Sequence, residues 1–255
     1  MHHIFRLGRC QSIEDIVIVG EFDENQIYCS EEALQASHEL NERALRCKEL
    51  DQQFFMDDST IIGFMNIESL RAHLPHLMQD EQFLKCDVIG LAETWLYTGE
   101  ELPTAPFESH YINNGRGKGL ATLTRHHLNL IEPIKKDLYS MMKIQIENKF
   151  IIFVYISKTA NPTEYINDIE ILLQNTDNFP TVLIGDVNWH YKQQSHPMKK
   201  YMLDKNYEQL VQKPTHDDGN IIDHVYINQL MKDMNVQIFQ KPVIYSDHYA
   251  LFMKI

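Results

Sequence analysis

The chain is 255 residues long and 44 % hydrophobic, enough to bury a sizeable core in one large domain or in one ordinary domain with an appendage. Its 36 acidic residues against 23 Lys and Arg leave a formal charge of −13, which argues against a protein that coats nucleic-acid backbone or an anionic membrane through a basic surface. No apolar run approaches the roughly 20 residues of a membrane helix. The start MHHIFRLGRC carries no signal-peptide pattern, and four cysteines (Cys10, Cys29, Cys47, Cys86) with no CxxC pair suit a reducing intracellular compartment.

The acidity is uneven. Residues 1–58 hold 13 acidic and 5 basic side chains, a net of −8, which leaves −5 for residues 59–255. Within the first segment, Ile13 to Val19 reads as a short buried strand closed by Gly20. Ser30 before Glu31 and Glu32 is a helix start, and the stretch to Leu50 continues it with a thin apolar stripe of Leu34, Leu40, Ala44 and Leu45. DQQFFMDD, residues 51–58, reads as a linker.

From Thr60 the pattern changes to short apolar runs between turns. Strands are expected at Ile61–Met65, Val88–Leu91, Leu120–Leu123, Met142–Ile146, Phe150–Ile156, Thr181–Gly185, Ile222–Ile227, Val243–Tyr245 and Ala250–Met253. Helices are expected near Ile67–Gln79, Glu164–Gln174 and Pro197–Lys205, and Asn148–Lys149 reads as a hairpin turn. Many strands with few helices between them favour a mixed-sheet α/β sandwich over a regular βαβ wheel.

Polar residues recur where these strands end, the place where a sheet scaffold displays its chemistry. Asn66 follows IIGFM, Glu93 follows DVIGLA, Asp186 and Asn188 follow TVLIG, Asp223–His224 interrupts NIIDHVYI, and Asp247–His248 sits between VIYS and YALF. Any one of them is more often a turn or cap residue than a functional group. Four carboxylates, two amides and a histidine distributed over five strand ends are hard to attribute to turns. Carboxylate oxygens suit a hard cation such as Mg²⁺, which needs one or two of them plus water and substrate phosphate, and they accept Mn²⁺ as well. A histidine held by a carboxylate can serve hydrolysis of a phosphoester.

The order N…ET…GDxN…IDH…SDH resembles the endonuclease/exonuclease/phosphatase superfamily. The matching segments, IIGFMNIESL, CDVIGLAETWL, FIIFVYISK, VLIGDVNWH, PTHDDGNIIDHVYIN and YSDHYALF, cover residues 60–255. The resemblance implies an α/β four-layer sandwich, two packed mixed β-sheets flanked by helices, for a domain over 59–255. It also implies roles by position. Glu93 would be the principal metal carboxylate, with Asn66 and Asp247 beside the metal. Asp186 would orient or deprotonate the attacking water, Asn188 and His248 would contact phosphate, and Asp223 would orient His248. Tyr155 falls where apurinic-site and retrotransposon endonucleases carry a phosphate-facing tyrosine; its alternative use is an interior strand aromatic.

ETWL followed by a Tyr-bearing strand is most similar to the endonucleases of Helitron-type and non-LTR transposable elements, and GNIIDHVY lacks the block usual in inositol phosphatases. That makes a Mg²⁺-dependent DNA endonuclease the leading expectation, intracellular and, acting on DNA, nuclear, with no membrane partner. A phosphatase acting on a small phosphorylated ligand and a catalytically idle transposon remnant serving only as a binding module are the alternatives.

LGRCQSIEDIVIVGEFDENQIYCSEEAL resembles the C-terminal end of transposon-type superfamily-1 helicases, with Arg9 at the nucleotide-contacting position. Residues 1–58 are therefore read as a strand–helix appendage. No GxxxxGK[ST] loop accompanies it, so helicase activity is not expected of this chain. GRGKGL at Gly115–Leu120 lacks that spacing and reads as a flexible basic turn, with Arg116 and Lys118 placed to touch DNA. Trp95, Trp189 and His190 are expected to pack beside the motifs. His126, His127 and His216 are expected on the surface or in loops.

Overall fold

The computed structural model describes residues 54–55, 59–128, 130–193 and 196–255. The strand at 13–19, the helix at 30–50, Arg9 and three of the cysteines fall outside the described residues. Strands β1 (Ile61–Asn66), β2 (Val88–Ala92), β3 (Glu108–Ile112), β4 (Leu120–Thr124), β11 (Gln237–Lys241) and β12 (Ala250–Lys254) form one mixed sheet in the order β11-β12-β1-β2-β4-β3. Strands β5 (Ile131–Lys135), β6 (Tyr139–Ile146), β7 (Lys149–Ile156), β8 (Thr181–Asp186), β9 (Glu208–Gln209) and β10 (Asp223–Ile227) form the second, in the order β5-β6-β7-β8-β10-β9. In each sheet one central pair is parallel, β1 with β2 and β7 with β8, and the other pairs are antiparallel.

The apolar runs are continuous because both faces of the central strands are covered. Along β7, Ile151, Phe153 and Tyr155 point into the core between the sheets, while Ile152, Val154 and Ile156 point outward. The outward face packs under helices α2 (Pro162–Leu173) and α3 (Pro197–Asp204) through Tyr165, Ile169, Leu172, Met198 and Met202. On β1, Ile62 and Phe64 face the inter-sheet core, and Ile61 and Met65 face helix α1 (Leu70–Leu77) and Phe83. The result is the expected four-layer sandwich, and Phe64 stacks on Phe153 at its centre (centroids 6.4 Å apart).

The structure corrects several boundaries. Val243–Tyr245 is a loop, and the strand lies earlier, at β11, because Pro242 interrupts the run before Val243. Helix α1 begins at Leu70 instead of Ile67, since Glu68 and Ser69 hold φ values of 46° and 100°. Helix α2 begins two residues early, at Pro162, with Asn161 as its cap accepting the Thr163 amide at 3.0 Å. Within the segment read as a linker, Phe54 and Phe55 are buried against Phe239 and Phe252. Among the described residues no helix is long and apolar enough to cross a membrane.

Gly90 sets the spacing of the sheets. A Cβ there would stand 2.1 Å from the Phe153 ring, so the bare glycine is what lets that ring fill the centre of the sandwich. Replacing Gly90 by Ala is expected to cost about 1–3 kcal/mol through overpacking. The check is urea unfolding, and an unchanged midpoint would contradict this account of the interface.

Candidate active site

The turns after β1 and β2 are bonded to each other. Ile67, Ser69 and Leu70 donate their amides in succession to the carbonyls of Ala92, Glu93 and Thr94 (3.0, 2.9 and 3.0 Å). This ladder places Asn66, at the end of β1, beside Glu93, which takes a left-handed backbone (φ 50°) just past β2. Such a conformation is costly for a residue with a side chain and persists where surrounding bonds enforce it. Asn66 is buried and donates from Nδ2 to Asp186 Oδ2 at 2.9 Å, while its Oδ1 accepts the Glu68 amide. Trp95 Nε1 donates to Glu93 Oε2 at 3.2 Å.

In the second sheet, the register of β8 against β10 sets Asp186 directly opposite Asp223. Both are fully buried, so each needs partners. Asp186 takes three donors: the Asn66 side chain, the Asn188 side chain (3.0 Å) and the Asn188 amide (2.8 Å). Asn188 reaches it by turning back with φ 56°. Burial, and then the charge of Asp223, push the Asp186 carboxyl up to about 7 against the lowering influence of His248 and these donors. Behind Asp223, buried Thr215 Oγ1 accepts the amides of Ile222 and Asp223 (3.1 and 3.0 Å).

His248 joins the two sheets at this point. Its Nδ1 donates to both oxygens of Asp223 (3.0 and 3.2 Å), leaving Nε2 as the end that can meet a substrate. Burial alone would lower its pKa, but Asp223, with Asp186 and Asp247 behind it, raises it to about 10 and favours the imidazolium. The turn that carries it is fixed by Ser246, whose Oγ donates to the Asn66 carbonyl at 2.8 Å and accepts the His248 amide at 3.1 Å. One ligand atom from each of Asp186, Asp223 and His248 lies within 4.8 Å of the others. Asn66, Asp186 and Asn188 thus form one bonded set and Asp223 with His248 a second, brought side by side by the β8–β10 register and by Ser246, with Asp247 at their edge.

Tyr155, at the end of β7, faces Glu93 and Asp186. Burial, and then the charges of those two carboxylates, raise its phenol well above the usual tyrosine range, so it stays protonated. Its hydroxyl donates to the Gly117 carbonyl at 2.8 Å. That bond corrects the reading of Gly115–Leu120 as a flexible turn. The loop is pinned three ways, by Tyr155, by the Trp95 amide on the Lys118 carbonyl and by the Gly115 amide on the Leu96 carbonyl. Arg116 lies over the Trp95 ring at 5.7 Å, and Lys118 pairs with Asp137 at 2.7 Å.

Other residues beside the motifs are structural. Trp189 packs on the ring of His196 (4.7 Å), His190 Nδ1 accepts the Ile221 amide, and buried His224 bonds the Trp189 carbonyl through Nε2. His126 and His127 are exposed, as expected. His216 is not a bystander. Its Nε2 lies 3.2 Å from Asp247 Oδ2, and its ring stands edge-on to His248 at 4.9 Å. Nothing in the local sequence marks it, because its partners lie more than thirty residues downstream.

The donor set fits a divalent cation. The candidates are oxygen ligands of the kind hard cations take, and Asp247 Oδ1 is shut off from solvent with no hydrogen-bond donor. Of Glu93, Asp247 and Asn66, the residues that would hold such an ion, Asp247 stands in a close-set group with His216 and His248, while Glu93 belongs to neither such group among the described residues.

Removing the Thr215 hydroxyl would leave two buried amides unpaired. Thr215→Val is therefore expected to destabilise the fold by about 1–3 kcal/mol while Thr215→Ser keeps wild-type stability. Equal unfolding midpoints for the valine and serine variants would contradict this role.

No family model and no curated protein matches the chain. Solved structures do match, at low identity. A Neisseria 3′ phosphatase, NExo, bound to a product DNA hairpin is 15 % identical, covers 76 % of this chain and 98 % of its own, and gives a TM-score of 0.61. The endonuclease domain of TRAS1, a telomere-specific non-LTR retrotransposon, is 14 % identical over 77 % of this chain and 98 % of its own, with a TM-score of 0.60. An AP endonuclease from Archaeoglobus fulgidus is 14 % identical over 76 % and 98 %, with a TM-score of 0.59. What the chain shares with these nucleases and phosphatases is their fold, over about three quarters of its length.

Proposed function

We propose that the chain is a divalent-cation-dependent phosphodiester hydrolase acting on DNA, an endonuclease of transposon origin. The observation that carries this reading is the buried network of Asp186, Asp223 and His248 with two amides, assembled at strand ends from both sheets. The fold likeness to structures described as a retrotransposon endonuclease and as a 3′ phosphatase bound to a DNA hairpin supports it.

In this reading Asp186 orients a water for in-line attack on phosphorus and takes its proton, a task suited to a carboxylate that burial and the Asp223 charge make more basic than usual. The amides of Asn66 and Asn188 hold that carboxylate in place, and Asn188, only half-buried, would contact a phosphate oxygen. His248, kept charged and oriented by Asp223, donates from Nε2 to the developing oxyanion. Mg²⁺ or Mn²⁺ held by Glu93, Asp247 and Asn66 supplies a Lewis acid that offsets charge on the phosphate. Tyr155 serves through the loop: its hydroxyl bonds the Gly117 carbonyl while facing the Glu93 carboxylate, so it ties the loop that bears Arg116 and Lys118 to the site.

The test is conversion of supercoiled plasmid to nicked circle with and without Mg²⁺. Asp186→Ala is expected to lower the Mg²⁺-dependent rate by about 10²–10⁴-fold, with the folded circular-dichroism spectrum kept. Full activity in that variant would remove Asp186 from the mechanism. Release of phosphate from inositol phosphates without nicking would assign the site to a small-ligand phosphatase, and inactivity on both would leave the binding-module reading. With a net of −5 on residues 59–255, few phosphates would be neutralised by Lys and Arg, so DNA binding is expected to be weak and to fall only shallowly with salt. Filter binding across a salt series checks this.

A further inference from the structure

His216 is held by its backbone beside the turn that carries Asp247. It forms an isolated antiparallel bridge with His248, the neighbouring Asp217 amide donates to the Asp247 carbonyl at 3.0 Å, and the Tyr249 amide donates to the Thr215 carbonyl at 2.7 Å. Nδ1 accepts the Asp218 amide at 3.0 Å and lies 3.5 Å from the Asp218 carboxylate, and in the neutral ring that amide bond leaves the proton on Nε2. That nitrogen lies 3.2 Å from Asp247 Oδ2.

A nitrogen that carries its proton is a donor and offers no lone pair to a metal. His216 therefore acts on Asp247 and is not itself a metal ligand, although the two side chains and His248 lie close enough to look like a three-ligand cluster. The Asp247 side chain is 45 % exposed and belongs to a loop, and among the described residues the groups that face it are the rings of His216 and His248. Oδ2 lies against the His216 ring, and Oδ1 has no hydrogen bond, with His248 Nε2 at 3.7 Å from it.

We propose that His216 is a positioning residue that locks the Asp247 carboxylate with Oδ1 free to bind a divalent cation. The inference rests on Asp247 being a metal ligand. Partners of this kind, hydrogen-bonded to a ligating carboxylate, change metal affinity by about 10–100-fold when lost.

The experiment is Mn²⁺ binding to the full chain, followed by the electron paramagnetic resonance signal of the free ion, with no substrate and no turnover. His216→Phe keeps a flat ring and removes the donor, and it is expected to weaken Mn²⁺ binding by about 10–100-fold. His216→Gln offers an amide N–H at the reach of Nε2 and is expected to bind close to wild type. His216→Ala repeats the loss without a large ring, in case the phenyl group cannot be accommodated. Wild-type binding in both the Phe and Ala variants, or a Gln variant as weak as Phe, overturns the role of His216. Glu93→Gln separates the two levels. If it abolishes binding while His216→Phe does not, the positioning role alone falls. If wild type binds no Mn²⁺, or Glu93→Gln leaves binding untouched, the metal reading falls and His216 with it.

Discussion

Two carboxylates placed directly opposite each other in a buried antiparallel pair are the constraint on which the rest of this site depends. Asp186 and Asp223 face one another across β8 and β10, with ligand atoms inside 4.8 Å. Fully ionised, such a pair repels by roughly 3 kcal/mol at an effective dielectric of about 20, before the loss of hydration is counted. Like charges directly opposed in a sheet are otherwise avoided. The structure offsets this with donors and a cation: two asparagine side chains and one amide on Asp186, and an imidazolium on Asp223. Even so, burial and the neighbouring charge hold the Asp186 carboxyl above the usual carboxylate range.

Most of the surrounding architecture serves to keep these groups still. The β1–α1 turn and the turn after β2 are locked by three consecutive backbone bonds, so Asn66 and Glu93 cannot drift apart without breaking them. Ser246 ties the His248 turn to the end of β1, which brings the first sheet's histidine onto the second sheet's aspartate. The sheets themselves approach closely because Gly90 leaves room for the Phe153 ring. Positive φ values at Glu93, Trp95 and Asn188 concentrate at this end of the sandwich, where strain is retained because the network over-determines it.

Much of this was legible in the chain, for a physical reason. The central strands are covered on both faces, so IIGFMN, KFIIFVYI and TVLIGD read as unbroken apolar runs, and the polar residue that ends each one stands out. The edge strands β3, β5, β9 and β11 did not stand out. Their faces are partly solvated and their residues mixed, as in ESHYI and IEPIK, so nothing separates them from loop. Val243–Tyr245 was misread for the converse reason: three apolar-leaning residues sit in a loop that packs on α1 through stacked His76 and Tyr245. His216 and the bond from Tyr155 to Gly117 are invisible locally, because each depends on a partner brought close only by the finished sandwich.

The charge of the chain takes on a different meaning once the site is in view. Three of the acidic residues in 59–255, Asp186, Asp223 and Asp247, stand in two close-set groups that share His248, so part of the acidity is gathered at one site instead of spread over a surface that repels phosphate. The most direct test is the urea midpoint of unfolding measured against Mg²⁺ concentration. If the folded site binds the ion, wild-type stability rises by about 1.4 kcal/mol for each tenfold increase in Mg²⁺ above the dissociation constant, and Glu93→Gln loses that slope. A wild-type midpoint that does not move with Mg²⁺ would contradict the account at its centre.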